Sequence, residues 1–290
     1  MDMQHVRHFY LESSSESIDL NGKPYLFQKS SGLGFDTDYQ YVRIGSVFIR
    51  TQGDVSQLDK NGTIVIRGNT REEVYAYYKQ LAGFISRNKD DLKLAYLVPG
   101  NSYKYYMDVD VSSLSKEEVG LFSLNMVCDI TFSQRSKWYR VRRVEYSVPS
   151  GSGLGKTYDY SYDYTYFDTD SGDISVSMES EASPCIITIM GPCVNPHWTL
   201  MKDNEEVMSG GWTGTLSDDD TLTINSIDGQ TEATYHNATA NTDTDVYQDL
   251  DFDAENFIVF PAGDSTLSFT QTGESGFAFS VQIREEYDAI

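Results

Sequence analysis

The chain has 290 residues, which suits one large domain or two ordinary ones, and its formal net charge is −22. It has no apolar run of about 18 residues, and its N-terminus lacks a basic region followed by an apolar core, so we expect neither a membrane-spanning helix nor a secretory signal. The three cysteines, Cys128, Cys185 and Cys193, form no CxxC motif and indicate a reduced, intracellular protein; a Cys185–Cys193 disulfide is the alternative.

The charge is unevenly distributed along the chain. Residues 1–150 contain 19 basic and 18 acidic residues, whereas residues 151–290 contain 3 basic and 26 acidic residues. Such an acidic half repels phosphate, so nucleic-acid binding there is not expected. The acidity is typical of a solubilising surface.

The first half is predicted to be mainly β-structure with one helix. Thr70–Glu73 reads as a Thr-x-x-Glu capping box. Apolar residues then recur at helical spacing, at Val74, Tyr77, Tyr78, Leu81, Phe84 and Ile85. Asn88 is expected to end this helix, whose single apolar stripe must lie on a sheet.

Two hairpins are predicted in the same half. β-branched runs at 41–51 and 62–68 are separated by a polar segment, which indicates a hairpin with a long tip. Alternating apolar residues at 105–111 and 121–132 predict a second hairpin with one solvated face.

The composition changes near residue 149. The segment at 149–173 is rich in Gly, Ser, Tyr and Asp and reads as a linker that runs into a tyrosine-rich strand. Its acidic end at 168–173 does not fit a calcium loop, because Gly172 lies one position too early.

From residue 184 onward, eight short β-branched segments alternate with turn residues, a spacing typical of a β-sandwich. In the segment FIVFPAGDSTLSFT (257–270), Pro261 to Asp264 are expected to form a tight turn between two strands.

No catalytic, cofactor-binding or metal-binding motif is found. The histidines accompany no nucleophile signature; His5 and His8 are expected in solvent, and His197 is expected to point away from Trp198. Carboxylates occur in runs beside turns, at 205–206 and 218–220, where solvation is more typical than the buried pair of a glycosidase.

Sugar binding is the alternative function, because an aromatic ring can stack on a sugar. The candidate stacking residues are Trp198, Trp212 and Tyr235, the last beside His236 and Asn237. The structural alternative is that Trp198 belongs to the core and Trp212 packs in a bend of the sandwich.

Three phrases in order carry a family resemblance. DITFSQRSKWYRV (129–141) closes the first half, GLGKTYDYSYDYTY follows, and SPCIITIMGPCVNPHWTL opens the second half. Later come TLTINSIDG and the Asn-Phe-apolar-Pro-x-Gly phrase. The chain resembles the distal tail (Dit) proteins of long-tailed phages (siphophages) that infect Gram-positive bacteria.

The resemblance implies a mainly β fold with a tail-tube-like N-terminal β-sandwich carrying one α-helix and a galectin-like C-terminal β-sandwich. It divides the chain into a ring-forming domain (1–148), a linker with a Tyr-rich strand (149–180) and a galectin-like domain (181–290).

It also implies a non-enzymatic structural hub of the phage tail tip or baseplate, without cofactors. Such a hub is a homo-hexamer that joins the major tail (tube) protein to the tail-associated lysin or central fibre protein and the host-adsorption machinery, and can carry receptor-binding proteins. It would be made in the host cytoplasm and reside in the virion. The segment at 231–256 is short for an arm that carries such proteins. A carbohydrate-binding module for cell-wall polysaccharide is the alternative, and a hydrolase with an accessory sandwich is a third reading.

Overall fold

The computed structural model describes residues 7–118, 123–147, 171–273 and 277–290. It confirms a mainly β chain with one α-helix in the described part. Contacts divide the chain into an N-terminal unit, Met1–Arg140 with Tyr287–Ile290, and a C-terminal unit, Val141–Glu286. None of the described helices is long and apolar enough to cross a bilayer.

The N-terminal unit contains two sheets that share one bent strand. Its strands are β1 (His8–Glu12), β2 (Ser17–Asp19), β3 (Tyr25–Ser31), β4 (Thr37–Ile44), β5 (Val47–Val55), β6 (Asp59–Arg67), β7 (Lys93–Leu97), β8 (Tyr105–Leu114), β9 (Asn125–Gln134) and the start of β10 (Trp138–Ser147). One sheet has the order β2-β1-β7-β8-β10 and the other β3-β6-β9-β8. Fully buried side chains such as Phe9, Ile64 and Phe132 form one core.

The helix, α1 (Arg71–Arg87), confirms the capping prediction in most respects. Thr70 accepts a hydrogen bond from the backbone N–H of Glu73 (3.2 Å), but the Glu73 carboxylate accepts from the N–H of Asn69 (2.7 Å) instead of closing on Thr70. Asn88 ends the helix, and its side chain donates to the carbonyl of Phe84 (2.9 Å). The apolar stripe faces the core, with Val74, Leu81 and Phe84 buried.

The predicted hairpin at 105–132 is confirmed, since β8 and β9 pair antiparallel. The hairpin at 41–68 is wrong. The run at 41–51 contains its own two-residue turn, Gly45–Ser46, so β4 pairs with β5 as a separate ribbon. The run at 62–68 lies instead in β6, between β3 and β9.

The C-terminal unit is also built from two sheets that share a strand. Its strands are the end of β10, β11 (Ser171–Met190), β12 (Cys193–Val194), β13 (His197–Lys202), β14 (Glu205–Gly211), β15 (Thr215–Leu216), β16 (Thr221–Asn225), β17 (Glu232–Asn237), β18 (Thr242–Asp245), β19 (Val259–Thr270) and most of β20 (Ala278–Tyr287), with a 3-10 turn at Tyr247–Asp249. The orders are β14-β13-β19-β11 and β20-β11-β16-β17-β18. The galectin-like likeness of this sandwich stays a prediction.

The predicted turn at Pro261–Asp264 is wrong, because β19 runs through it without a break. The register against β11 shifts between Met178 and Ala182, opposite Gly263 and Pro261. Gly263 has φ +91°, a conformation that a side chain resists. Pro261 and Gly263 therefore lie opposite a β-bulge whose extra residues are in β11 at 179–181, and a bulge bends a strand pair without reversing it.

The tyrosine-rich stretch and most of the predicted linker lie outside the described residues. The described end of that segment, from Ser171, already belongs to β11, so the predicted boundary at 181 falls within one strand. The domain roles assigned to 1–148, 149–180 and 181–290 stay predictions.

Candidate functional site

Trp198 is fully buried in β13. Its ring packs in the core of the C-terminal unit, and its Nε1–H donates to the backbone carbonyl of Asn256 (3.0 Å). Gly210, its pairing partner in β14, leaves room for the ring; a Cβ there would collide with Nε1. In this conformation Trp198 presents no face on which a sugar could stack.

Trp212 and Tyr235 lie together and stack, with ring centroids 5.9 Å apart and 22° between their planes. Trp212 is 7% exposed. The Tyr235 hydroxyl donates to Asp220 (2.8 Å) and accepts from the Asn237 side chain (2.9 Å). These hydrogen bonds hold Tyr235, and with it the stacked pair, in a fixed position within the C-terminal unit. The capacity of the pair to bind sugar stays a prediction.

Asp220 is the centre of that network. It is 1% exposed and accepts from the backbone N–H of Ala238 (2.8 Å) and of Ser217 (3.0 Å), as well as from Tyr235. The hydrogen bond from Ala238, followed by the others, lowers the pKa of Asp220 below its ordinary 3.8. The same contact with Asp220 raises the pKa of Tyr235.

Asp220 is therefore expected to give the C-terminal unit an acid-sensitive share of its stability. Because its folded pKa is depressed, this share is present above pH 3.8, the unfolded value, and is lost as the pH falls through the lower folded pKa. Asp220→Asn should lower the urea midpoint at pH 7 and flatten its fall below pH 4 (about the ordinary Asp pKa), measured by circular dichroism. The exposed Asp228→Asn is the control; an acid limb that is equally steep in both variants contradicts the prediction.

Among the described residues, the candidate histidine, cysteine and acidic side chains do not form a catalytic arrangement. His8 was expected in solvent but is 6% exposed in β1, with Nδ1 3.7 Å from Asp19. All three cysteines are free and buried, and burial raises the pKa of Cys185 to about 12. Within the described ranges no cluster of three or more His, Cys, Asp or Glu could hold a metal ion; the acidic stretch at 168–170 lies outside them.

A depression of about 670 Å³ lies over β11, β13 and β19. It is lined by Ser175, Asp203, Asn204, Asp264 and Thr266, among others. None of the three candidate sugar-stacking residues lines it, so the structure does not join the aromatic candidates to this depression.

An exposed apolar surface lies on the β4–β5 hairpin, which the sequence predicted only as one strand of a hairpin at 41–68. Its strands are exposed along 38–53. The cross-strand pairs Val42–Ile49 and Ile44–Val47 form one face, here called the aliphatic face, with each side chain 47–62% exposed. An isolated two-stranded ribbon is marginally stable in water, and apolar patches of this kind mark interaction surfaces.

The opposite face of the hairpin has a different chemistry. Tyr39, Tyr41, Arg43, Phe48 and Arg50 form this basic aromatic face. The guanidinium of Arg50 lies 5.1 Å from the Tyr39 ring centroid, and that of Arg43 lies 6.0 Å from the Phe48 centroid. Residues 39–52 include no acidic side chain. The signal in the sequence was Gly45–Ser46, a two-residue turn within an apolar run.

A comparison with known protein families gives a match for the part of the chain that contains this hairpin. Residues 8–135 match the family model described as distal tail protein, N-terminal domain. The match covers α1 and the sheets of the N-terminal unit, from the start of β1 to the end of β9. The resemblance in the sequence is thereby confirmed, and the exposed hairpin lies within the matched residues. A search of curated protein sequences gave no match.

Solved structures extend the likeness over the whole chain. A chain of the phage P2 baseplate in its activated conformation with Ca matches with a TM-score of 0.66 and 16% identity, covering 98% of this chain and 100% of that one. The SPP1 Dit (gp 19.1) protein, titled a paradigm of hub adsorption apparatus in Gram-positive infecting phages, matches with a TM-score of 0.60 and 11% identity, covering 96% and 99%. At these identities the likeness establishes the fold.

Proposed function

We propose that this protein is a ring-forming distal tail protein, a hub of the phage tail tip. In this role it joins the tail tube protein to the tail-associated lysin or central fibre protein and the adsorption machinery. It forms a homo-hexamer, resides in the virion tail after synthesis in the host cytoplasm, and has no catalytic activity. Receptor-binding proteins are further candidate partners.

The observation that carries the proposal is the exposed β4–β5 hairpin of the distal tail domain. Its aliphatic face consists of four β-branched residues that no described part of the chain covers. Burying apolar surface stabilises an assembly by about 25 cal/mol per Å², and a closed ring of identical subunits gives every copy the same buried contact.

The test is assembly of the full chain. Wild-type protein is expected to elute as a hexamer in size exclusion with light scattering, and to show a central hole in negative-stain images. Val42→Asp with Ile49→Asp places two carboxylates on the aliphatic face, and burying them unpaired is costly. We expect this variant to be a folded monomer.

Val207→Asp is the matched control, since Val207 is an exposed β-branched strand residue (45%) in the C-terminal unit. It should leave the hexamer intact. A ring that persists in the double variant, or a wild-type protein that stays monomeric at all concentrations, contradicts the proposal. Truncation at 181 is a poor test, because it cuts β11 and removes Tyr287–Ile290 from the N-terminal unit.

A further inference from the structure

A second exposed aromatic surface lies in the C-terminal unit, on residues 243–255, here called the acidic turn. It carries six acidic residues and no basic one: Asp243, Asp245, Asp249, Asp251, Asp253 and Glu255. Phe252 is 72% exposed and Tyr247 is 53% exposed. Runs of acidic residues are usually solvated, but large aromatic residues on such a run are not explained by solubility.

The acidic turn is held in place by Asn256, which is 6% exposed. Its side chain donates to the carbonyls of Asp251 (2.6 Å) and Ala254 (3.0 Å), and its Oδ1 accepts from the N–H of Gly211 (3.1 Å). The backbone N–H of Asp251 also donates to the carbonyl of Gly211 (2.9 Å). Phe252 is therefore displayed on a fixed backbone.

A fixed, exposed aromatic residue is the arrangement of an interface anchor. Aromatic residues dominate binding energy where they enter a complementary surface, and a preorganised turn loses little conformational entropy on binding. The surrounding carboxylates select a partner that combines aromatic contact surface with positive charge.

A surface with that chemistry lies in the N-terminal unit. The basic aromatic face of the β4–β5 hairpin presents Arg43 and Arg50 between three aromatic rings, and the hairpin tip has no carboxylate. Two acidic turns would repel each other, and nucleic acid would be repelled as well. The aliphatic face, which carries the proposed ring, is on the other side of the ribbon and leaves this face available.

We propose that the acidic turn of one copy docks on the basic aromatic face of the hairpin of a second copy. Phe252 packs among the rings of Tyr39, Tyr41 and Phe48, while carboxylates of the turn pair with Arg43 and Arg50. The inference goes beyond the ring, and it rests on the proposed function only in taking a second copy as the partner.

The experiment is a charge exchange in the full chain, read out by the concentration dependence of assembly in analytical ultracentrifugation. Asp249→Lys with Asp253→Lys, and separately Arg43→Glu with Arg50→Glu, should each weaken self-association by about tenfold or more. Combining all four changes should restore most of the loss. Phe252→Ala should also weaken association, and 0.5 M salt, about the regime in which exposed charges are screened, should weaken the wild type.

The control is Asp218→Lys with Asp228→Lys, which makes the same charge change at exposed positions outside the acidic turn. It should leave association unchanged. Unaltered association in the Asp249 and Asp253 variant, or no recovery in the combined variant, overturns the inference. If a closed ring forms and only the Val42 and Ile49 changes disrupt it, the proposed hub function is supported and the docking contact is contradicted. If association depends on the charged residues but no closed ring forms, the docking contact is supported and the hub function is contradicted.

Discussion

Trp198→Ala is expected to lower the free energy of unfolding of the C-terminal unit by about 3–5 kcal/mol, the usual range for truncating a buried Trp. Trp198 is fully buried between the two sheets, beside Leu200 and Phe269 in the same core cluster. Its loss opens a cavity and leaves the carbonyl of Asn256 without its indole donor. Guanidinium denaturation followed by circular dichroism measures the change.

Trp198→Phe separates the two contributions. Phenylalanine retains most of the apolar volume but has no N–H, so this variant should lose about 1–3 kcal/mol, the cost of a smaller cavity and one unsatisfied carbonyl. A Trp198→Ala variant within about 0.5 kcal/mol of the wild type, the range of neutral surface changes, would mean that the ring is not part of the core. It would also return Trp198 to the candidates for sugar stacking.

Asn256→Ala is expected to cost roughly 3 kcal/mol or more, because it removes three side-chain hydrogen bonds in a nearly buried site. It also places alanine at φ +64°, a left-handed conformation that disfavours a Cβ by about 1–2 kcal/mol. Hydrogen exchange should report faster exchange at Gly211 and Asp251, whose N–H groups lie in this corner.

Asn256→Gly is the matched variant, since glycine tolerates the left-handed backbone but supplies no amide. It should be more stable than Asn256→Ala by about 1 kcal/mol and still less stable than the wild type. Equal stabilities of the two variants would show that backbone strain contributes nothing, and wild-type stability in both would show that the amide does not hold the acidic turn.

The correctly predicted elements are those that are specified by residues close to one another in the sequence. The capping box at Thr70 and the apolar stripe behind it specify α1 without reference to the rest of the chain. Alternation of apolar residues in 121–132 likewise predicted the buried face of β9, where Met126, Cys128 and Ile130 are buried, although Leu124 in the same phase is exposed. Trp198 alternates with Leu200 along β13, a pattern that favours the core alternative over sugar stacking, and both side chains are fully buried.

The wrong predictions concern elements whose structure depends on pairing with residues far away in the sequence. Pro261 and Gly263 can mark a turn or a bulge, and the choice depends on β11, about 80 residues earlier in the chain. The β4–β5 hairpin was predicted with the wrong partner strand, because an apolar β-branched run predicts one buried strand, whereas here the run contains a turn and stays exposed. The acidic turn lies in 231–256, which the sequence showed only as a short segment; the hydrogen bonds to Asn256 that fix it are tertiary.

Tyr287–Ile290 follow the C-terminal unit in the sequence but belong to the N-terminal unit by their contacts. Tyr287 stacks edge-on against Tyr105, with centroids 5.4 Å apart, and Asp288 pairs with Lys137 (2.8 Å). Domains generally fold as units while the chain is being synthesised. Here the N-terminal unit stays unfinished until the whole C-terminal unit and Tyr287–Ile290 have been translated. A purification tag placed directly after Ile290 would therefore lie next to the N-terminal unit, whereas one inserted in a surface turn such as Asp228–Gly229 would lie in the C-terminal unit.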